Sequence, residues 1–178
     1  MEFIKIDSNF KDIEKLQNLK EEAFPGLDNV TIEKIISLQE NKNCHAYAAY
    51  DNEQLVGFIV YISMDNNVYI AFLAVDKNCR GKGYGTKILT TVMNYYKDKY
   101  TNPYFILDVE KPRENAENLG QRKARIKLYE RLGFYLTDIA IEYHDDYYLF
   151  MTNEENIRIE DHKEFSEFVE SLQKKYDL

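Results

Sequence analysis

The sequence predicts an α/β protein of the mixed, α+β kind, a single domain in which a mostly antiparallel, seven-stranded sheet is flanked by helices. Strand-like and helix-like periods alternate along the whole chain, with no internal repeat and no low-complexity linker. At 178 residues there is enough chain for one continuous core. The central apolar run VYIAFLAV, Val68 to Val75, passes through KNCRGKGYGTK into an amphipathic helix, so a strand turns into a helix through glycines.

Each element has a local reason. Phe3, Ile4 and Ile6 suggest a short first strand, and Phe10, Ile13, Leu16, Lys20, Ala23 and Phe24 follow helical spacing until Pro25-Gly26 ends it. Thr31 can cap a second helix carrying Ile32, Ile35 and Ile36. His45–Tyr50 and Leu55–Ser63 read as strands joined at Asp51-Asn52-Glu53, and Asp65-Asn66-Asn67 turns into the strand from Val68. Ile88, Leu89, Val92, Met93 and Tyr96 mark the helix after the glycine loop, and Tyr104–Glu110 the next strand. Arg122–Phe134 reads as a helix with Ala124, Leu128 and Leu132 toward the core and Arg122, Arg125 and Tyr129 on a neighbouring face open for chemistry. A closing hairpin is expected from Tyr135–Tyr143, a turn at His144-Asp145-Asp146, and Tyr147–Thr152. Asp161 with Glu164 can cap a last helix bearing Phe165, Phe168, Val169, Leu172 and Tyr176.

The glycine loop carries the first chemical signal. Gly81, Gly83 and Gly85 are three of the chain's seven glycines, and they sit where the first amides of a helix lack acceptors. From Lys77 to Lys87 there are four basic residues and no acidic one, although the net charge is −8. Such a junction suits a phosphate-bearing ligand. The spacing fits neither G-x-G-x-x-G nor G-x-x-x-x-G-K-[ST]. Arg80-x-x-Gly83-x-Gly85, between strand and helix, resembles motif A of the GNAT superfamily of N-acetyltransferases. The resemblance implies an acyl-CoA N-acyltransferase fold spanning residues 1–153, with residues 154–178 a helical extension packed on the same domain. It also implies that Arg80, Gly81, Lys82, Gly83, Tyr84, Gly85 and Thr86 hold the pyrophosphate of acetyl-CoA, while the backbone of Leu73, Ala74 and Val75 serves the pantetheine arm and the oxyanion.

RKARIKLYERLGF, Arg122 to Phe134, resembles the superfamily's motif B, with Arg122 and Arg125 where Asn and Ala are common. Either arginine can reach a phosphate or an acidic substrate group through its planar fork, or pair with surface carboxylates. Arg122 is counted among the coenzyme-binding candidates.

Acyl transfer to an amine needs a proton acceptor for the nitrogen, donors for the oxyanion and a proton for the departing thiolate. Tyr129 is the candidate acid, since its superfamily counterpart lies near the coenzyme sulfur and a phenol's ordinary pKa of about 10 is close to that of a thiol. Asp108 and Glu110 share one face of ILDVEKP, and Glu110, nearer the strand end, is ranked first as base. The expected activity is transfer of an acetyl group from acetyl-CoA to a primary amine by direct attack in a ternary complex. The alternative is a non-catalytic CoA-binding or sensor module on the same fold.

Charge and cysteine content exclude other classes. An acidic chain disfavours nonspecific nucleic-acid or anionic-membrane binding and favours cationic partners such as a small-molecule or peptide amine. Cys44 and Cys79 make no disulfide framework, Cys79 is expected to be a passive loop thiol, and no spacing suggests a metal site. No run approaches the roughly 20 apolar residues of a membrane span. MEFIKIDSNF lacks the features of a secretion signal, so a cytoplasmic location is expected. Covering the sheet, closing the acceptor cleft and forming a homodimer are all open roles for the last helix.

Overall fold

Strand β1 (Glu2–Lys5) leads into helices α1 (Ile13–Ala23) and α2 (Ile32–Leu38), followed by the meander β2 (Cys44–Asp51), β3 (Gln54–Met64) and β4 (Asn67–Val75). A short 3₁₀ turn at Lys77–Cys79 precedes α3 (Tyr84–Lys99), then come β5 (Tyr104–Glu110), α4 (Leu119–Arg131), β6 (Tyr135–Tyr143), β7 (Asp146–Thr152) and α5 (Lys163–Tyr176). This computed structural model describes residues 1–27, 29–114, 116, 118–143, 146–155 and 162–176. The expected turn residues His144 and Asp145 and the expected cap Asp161 lie outside the described residues, as does the side chain of Tyr176.

The sheet runs β1-β2-β3-β4-β5-β7-β6, antiparallel at every step except the parallel pair β4 and β5. Turn chemistry fixes the meander: Asn52 and Glu53 both take positive φ (47° and 64°), the backbone of a tight two-residue hairpin, and Asp65 (φ 52°) helps turn β3 into β4. Thr31 caps α2 as its sequence suggests, its hydroxyl accepting from the Lys34 amide at 3.2 Å.

Two layers of helices cover the sheet. On one face, Ile88, Leu89, Val92, Met93 and Tyr96 of α3 and Tyr129 of α4 pack on Ile59, Tyr61, Ile70, Phe105, Leu107 and Val109. On the other, Leu16 and Leu19 of α1 and Ile32 and Ile35 of α2 pack on Ala46, Ala48, Phe58, Val60, Phe72 and Ala74. Helix α5 extends this second layer, burying Phe165, Val169 and Leu172 against Ile62, Tyr69 and Tyr104. Each such side chain contributes about 1.5–3 kcal/mol over leaving it in water. At its start His162 stacks on Tyr104 with ring centroids 3.6 Å apart, and bonds Asn67 and Glu154 at 3.2 Å each. Sheet covering is therefore one role of the last helix.

Two expectations need correction. Ile6 is buried but follows β1 and lies outside it, and the strand begins at Glu2. In α4 the expected core face is used only in part: Leu128 and Leu132 pack against the core, and Ala124 does not. Ala124 is exposed, Leu128 and Leu132 are only partly buried, and the helix's buried positions are Arg122 and Tyr129. The cause is the neighbouring carboxylate Glu110, which draws the arginines against the end of β5.

The central sheet opens between its two parallel strands. Register β4–β5 runs only from Asn67↔Tyr104 to Ile70↔Leu107, although β5 continues with β7 to Glu110↔Tyr148. In β3–β4 the pairs Tyr61↔Ile70 and Val60↔Phe72 leave Ala71 unpaired, so a β-bulge sits where β4 leaves β5. A bulge bends and twists its strand, which carries β4 away from its parallel neighbour.

Candidate active site

A cleft of about 240 Å³ occupies this opening. It is lined from both faces of the sheet: Phe24, Pro25, Tyr69, Phe72, Asp108 and Tyr148 on the α1 side, and Leu73, Leu107, Arg125 and Tyr129 on the α4 side. Gln173 of α5 reaches its rim. The cleft therefore crosses the sheet, and reactants entering from opposite faces would meet between β4 and β5.

The main chain supplies one wall. Asp76 donates to Val56 of β3 at 3.0 Å, and peptide groups alternate along a strand, so the N–H and C=O groups of Leu73 and Val75 face the gap while those of Ala74 face β3. A Cβ built on Gly57 would lie 2.4 Å from the Ala74 oxygen, in keeping with that direction. Of the three strand-end residues expected to serve a ligand, two present their backbone to the cleft. The Val75 oxygen already accepts from Arg80 Nε at 3.2 Å.

The glycine loop follows directly. Gly81 (φ 75°) and Gly83 (φ 81°) adopt the left-handed region, and Gly83 is the N-cap of α3. A Cβ at either position would meet nothing within 4 Å, which leaves the loop open to close approach. Gly83 offers no capping side chain, the first helical bond is Lys87 N–H to the Gly83 oxygen, and among the described residues the amides of Tyr84, Gly85 and Thr86 have no acceptor. Those donors, with the positive end of the α3 dipole, fit a pyrophosphate. Gly85 differs from its neighbours: a Cβ there would press on Leu128 at 3.3 Å, so this glycine also lets α3 approach α4.

Side chains around the loop are committed to specific partners. Arg80 Nη2 pairs with Glu22 at 3.1 Å and Lys77 with the same carboxylate at 3.3 Å. The Tyr84 hydroxyl donates to Asp51 at 2.6 Å, and Lys87 lies 5.4 Å from the Tyr84 ring centroid. Lys82 is exposed. Cys79 is buried and receives Gln54 Nε2 at 3.4 Å, as suits a passive thiol.

Asp108 and Glu110 share a face but meet different surroundings. Arg125 Nη1 contacts Glu110 Oε2 at 2.5 Å, and Arg122 Nη2 and Asn118 Nδ2 approach Oε1 at 3.5 and 3.4 Å. Arg122, one-tenth exposed or less, also donates to Asn118 Oδ1 (2.7 Å) and the Lys111 oxygen (2.9 Å), so its fork ties α4 to the end of β5. Asp108 faces the cleft without a cation within ion-pair distance among the described residues, and Tyr69 donates to it at 2.5 Å. Burial raises the Asp108 pKa above the ordinary carboxylate value, partly offset by the Tyr69 bond. Glu110, ranked first as base for its place near the strand end, is already held by two guanidinium groups.

Tyr129 is 6% exposed, its ring 6.0 Å from that of Phe134. Burial, reinforced by the Asp108 charge and opposed by Arg125, pushes its phenol up to about 12. Its hydroxyl makes no hydrogen bond with any described residue. It is thus a proton-bearing donor at the cleft, a weaker acid than a free phenol.

Sequence reasoning missed Tyr69, Phe24, Phe72 and Glu22. A lone tyrosine in an otherwise apolar strand was the available signal for Tyr69; the others belong to packing stripes or a charged helix end. Among the described residues no group of His, Cys, Asp and Glu could hold a metal ion, and no helix is long and apolar enough to cross a membrane.

Comparisons with known proteins agree with this fold. The model of the acetyltransferase (GNAT) family matches residues 13–134, from α1 through the turn after α4. An uncharacterized N-acetyltransferase of Methanocaldococcus jannaschii is 31% identical over 138 residues, covering 76% of this chain and 80% of its own. Among solved structures, a Bacteroides thetaiotaomicron protein assigned to the GNAT family superposes with TM-score 0.71 at 23% identity, over 97% of this chain and 96% of its own. An aminoglycoside 6'-N-acetyltransferase complexed with coenzyme A superposes with TM-score 0.67 at 17% identity, over 89% and 99% respectively. At these identities the solved structures speak for the fold.

Proposed function

The chain belongs to the GNAT family of acetyltransferases, and from that premise we propose that it moves the acetyl group of acetyl-CoA to a primary amine by direct attack, the two substrates meeting in the cleft between β4 and β5. The observation that carries this reading is the pairing, in one cleft, of a half-buried carboxyl and a tyrosine hydroxyl for which the described residues supply neither a neutralising cation nor a hydrogen-bond partner, respectively.

Bound acetyl-CoA supplies an activated thioester, whose carbonyl carbon accepts the amine nitrogen and whose thiolate departs. On this reading Gly81, Gly83 and the first amides of α3 receive the pyrophosphate, with Arg80 and Lys82 adding charge. The strand-end backbone of Leu73 and Val75 binds the pantetheine arm, and a free N–H there stabilises the oxyanion. Asp108 takes the proton from the amine. Its raised pKa makes it a stronger base than an exposed aspartate, and the Tyr69 bond orients it. Tyr129 donates to the departing sulfur. With its pKa pushed up to about 12, the phenol stays protonated through the working range and acts as a poised donor, giving up its proton only as charge develops on sulfur. Glu110, Arg122 and Arg125 are positioning residues, holding α4 and hence Tyr129 against β5.

Thiol release from acetyl-CoA over a panel of polyamines, aminoglycosides, amino acids and peptide N-termini tests this. Turnover with at least one amine, depressed in both Asp108→Asn and Tyr129→Phe, is expected. Tight CoA binding without turnover across the panel would instead favour a sensor module.

A further inference from the structure

Glu22 occupies a position that neither half of the cleft accounts for alone. It ends α1 and lines the cleft beside Phe24, while its carboxylate holds Arg80 through one oxygen and Lys77 through the other. These two cations belong to the segment that leads into the glycine loop, so a residue of the acceptor wall neutralises the charge of the donor loop. The three groups are each a third or more exposed, the condition in which an ion pair is weak and exchangeable. A phosphate outcompetes a single carboxylate for a guanidinium, because it carries more charge and more acceptor oxygens. Arg80 would not have to travel far, since Nε stays anchored on the Val75 oxygen at 3.2 Å.

We propose that Glu22 is shared by the two halves of the cleft: it neutralises Arg80 and Lys77 until coenzyme phosphate takes them, and the freed carboxylate then selects an acceptor amine bearing a second cationic group. The inference rests on the reading of Arg80 as a pyrophosphate ligand. Asp108 lies within the opening and serves the reacting nitrogen, whereas Glu22 stands at the end of α1. Between them Phe24, Tyr69 and Phe72 offer aromatic walls suited to the alkyl and ammonium parts of a polyamine-like chain. Coenzyme binding therefore creates the outer cation site, and donor and acceptor affinities are coupled in the same sense from both sides.

The test separates this inference from its premise. CoA affinity is measured by calorimetry without acceptor on the wild-type chain, Glu22→Gln and Arg80→Gln. Arg80→Gln should weaken CoA binding, and Glu22→Gln, which removes the competing anion, should tighten it about two- to five-fold at low salt. Unchanged affinity in Arg80→Gln sinks the loop reading and the inference with it. Weaker binding in Arg80→Gln with no tightening in Glu22→Gln overturns only the shared carboxylate. Spermidine serves as the cationic probe in a second titration. It should bind the CoA-loaded protein more tightly than the free protein, and Glu22→Gln should abolish the part of that gain not due to the charge of CoA itself. An equal gain in wild type and Glu22→Gln would contradict the handover.

Discussion

On the proposed reading, the ligand-facing groups at the donor end of the cleft are main-chain: the amides that open α3, the left-handed glycines before it and the edge of β4 at Leu73 and Val75 that β5 leaves unpaired. At the acceptor end they are side chains from α1, β4, β5, β7 and α4, namely Phe24, Tyr69, Asp108, Tyr148 and Tyr129. The two ends therefore tolerate different substitutions. A backbone site depends on conformation, so it is sensitive to what a glycine becomes and insensitive to a neighbouring lysine. A side-chain site depends on individual functional groups and can change its substrate while the fold stays constant.

The largest expected effect is at the side-chain end. Tyr129→Phe keeps the ring that packs near Phe134 and removes only the hydroxyl, so kcat should fall about 10²–10⁴-fold while thermal stability and CoA affinity stay near wild type. A kcat within a factor of a few would remove Tyr129 from the chemistry.

At the backbone end, Gly83→Val and Gly133→Ala form a matched pair. Both glycines have positive φ (81° and 85°) and open space for a Cβ, so both substitutions strain the backbone, by about 1–2 kcal/mol for alanine and more for the β-branched valine. Only Gly83 adjoins the unpaired amides. CoA affinity should drop tenfold or more in Gly83→Val and hold in Gly133→Ala, as titration of the two folded variants would report. Equal losses would reduce the glycine loop to a source of stability. The smallest effect is expected from Lys82→Ala, an exposed cation beside a main-chain cradle, with CoA binding weakened about twofold at low salt and less as salt screens it.

The same division governs what was legible in the sequence. The strand-to-helix turn with Gly81, Gly83 and the basic residues is local, so spacing and turn chemistry expose it, and the strands Tyr104–Glu110 and Tyr135–Tyr143 appear at their observed bounds for the same reason. The acceptor end depends on register. That Tyr69 meets Asp108 follows from pairing β4 with β5 at Tyr69↔Ile106, a contact across 39 positions that no local period encodes. The bulge at Ala71 lies within an unbroken apolar run and leaves no compositional trace. In α4 the helical period is legible and Leu128 and Leu132 pack on the core as it implies, but the burial of Arg122 depends on Glu110, which lies outside the helix, so Ala124 does not continue the stripe.

Asp108 and Glu110 differ in how pH should act on them. Because the folded pKa of Asp108 is raised, its neutral form stabilises the fold at low pH and that contribution is lost as pH rises through the folded value. Asp108→Asn should therefore raise the Tm at neutral pH while slowing catalysis. Catalysis has the opposite dependence, since the base works only when ionised. The decisive measurement is kcat/KM against pH with one amine acceptor for the wild-type chain, Asp108→Asn and Glu110→Gln. An acid limb above the ordinary aspartate range is expected in wild type, with its disappearance in Asp108→Asn and its retention, at reduced height, in Glu110→Gln. An acid limb that persists in Asp108→Asn and vanishes in Glu110→Gln would contradict the role of Asp108 as base.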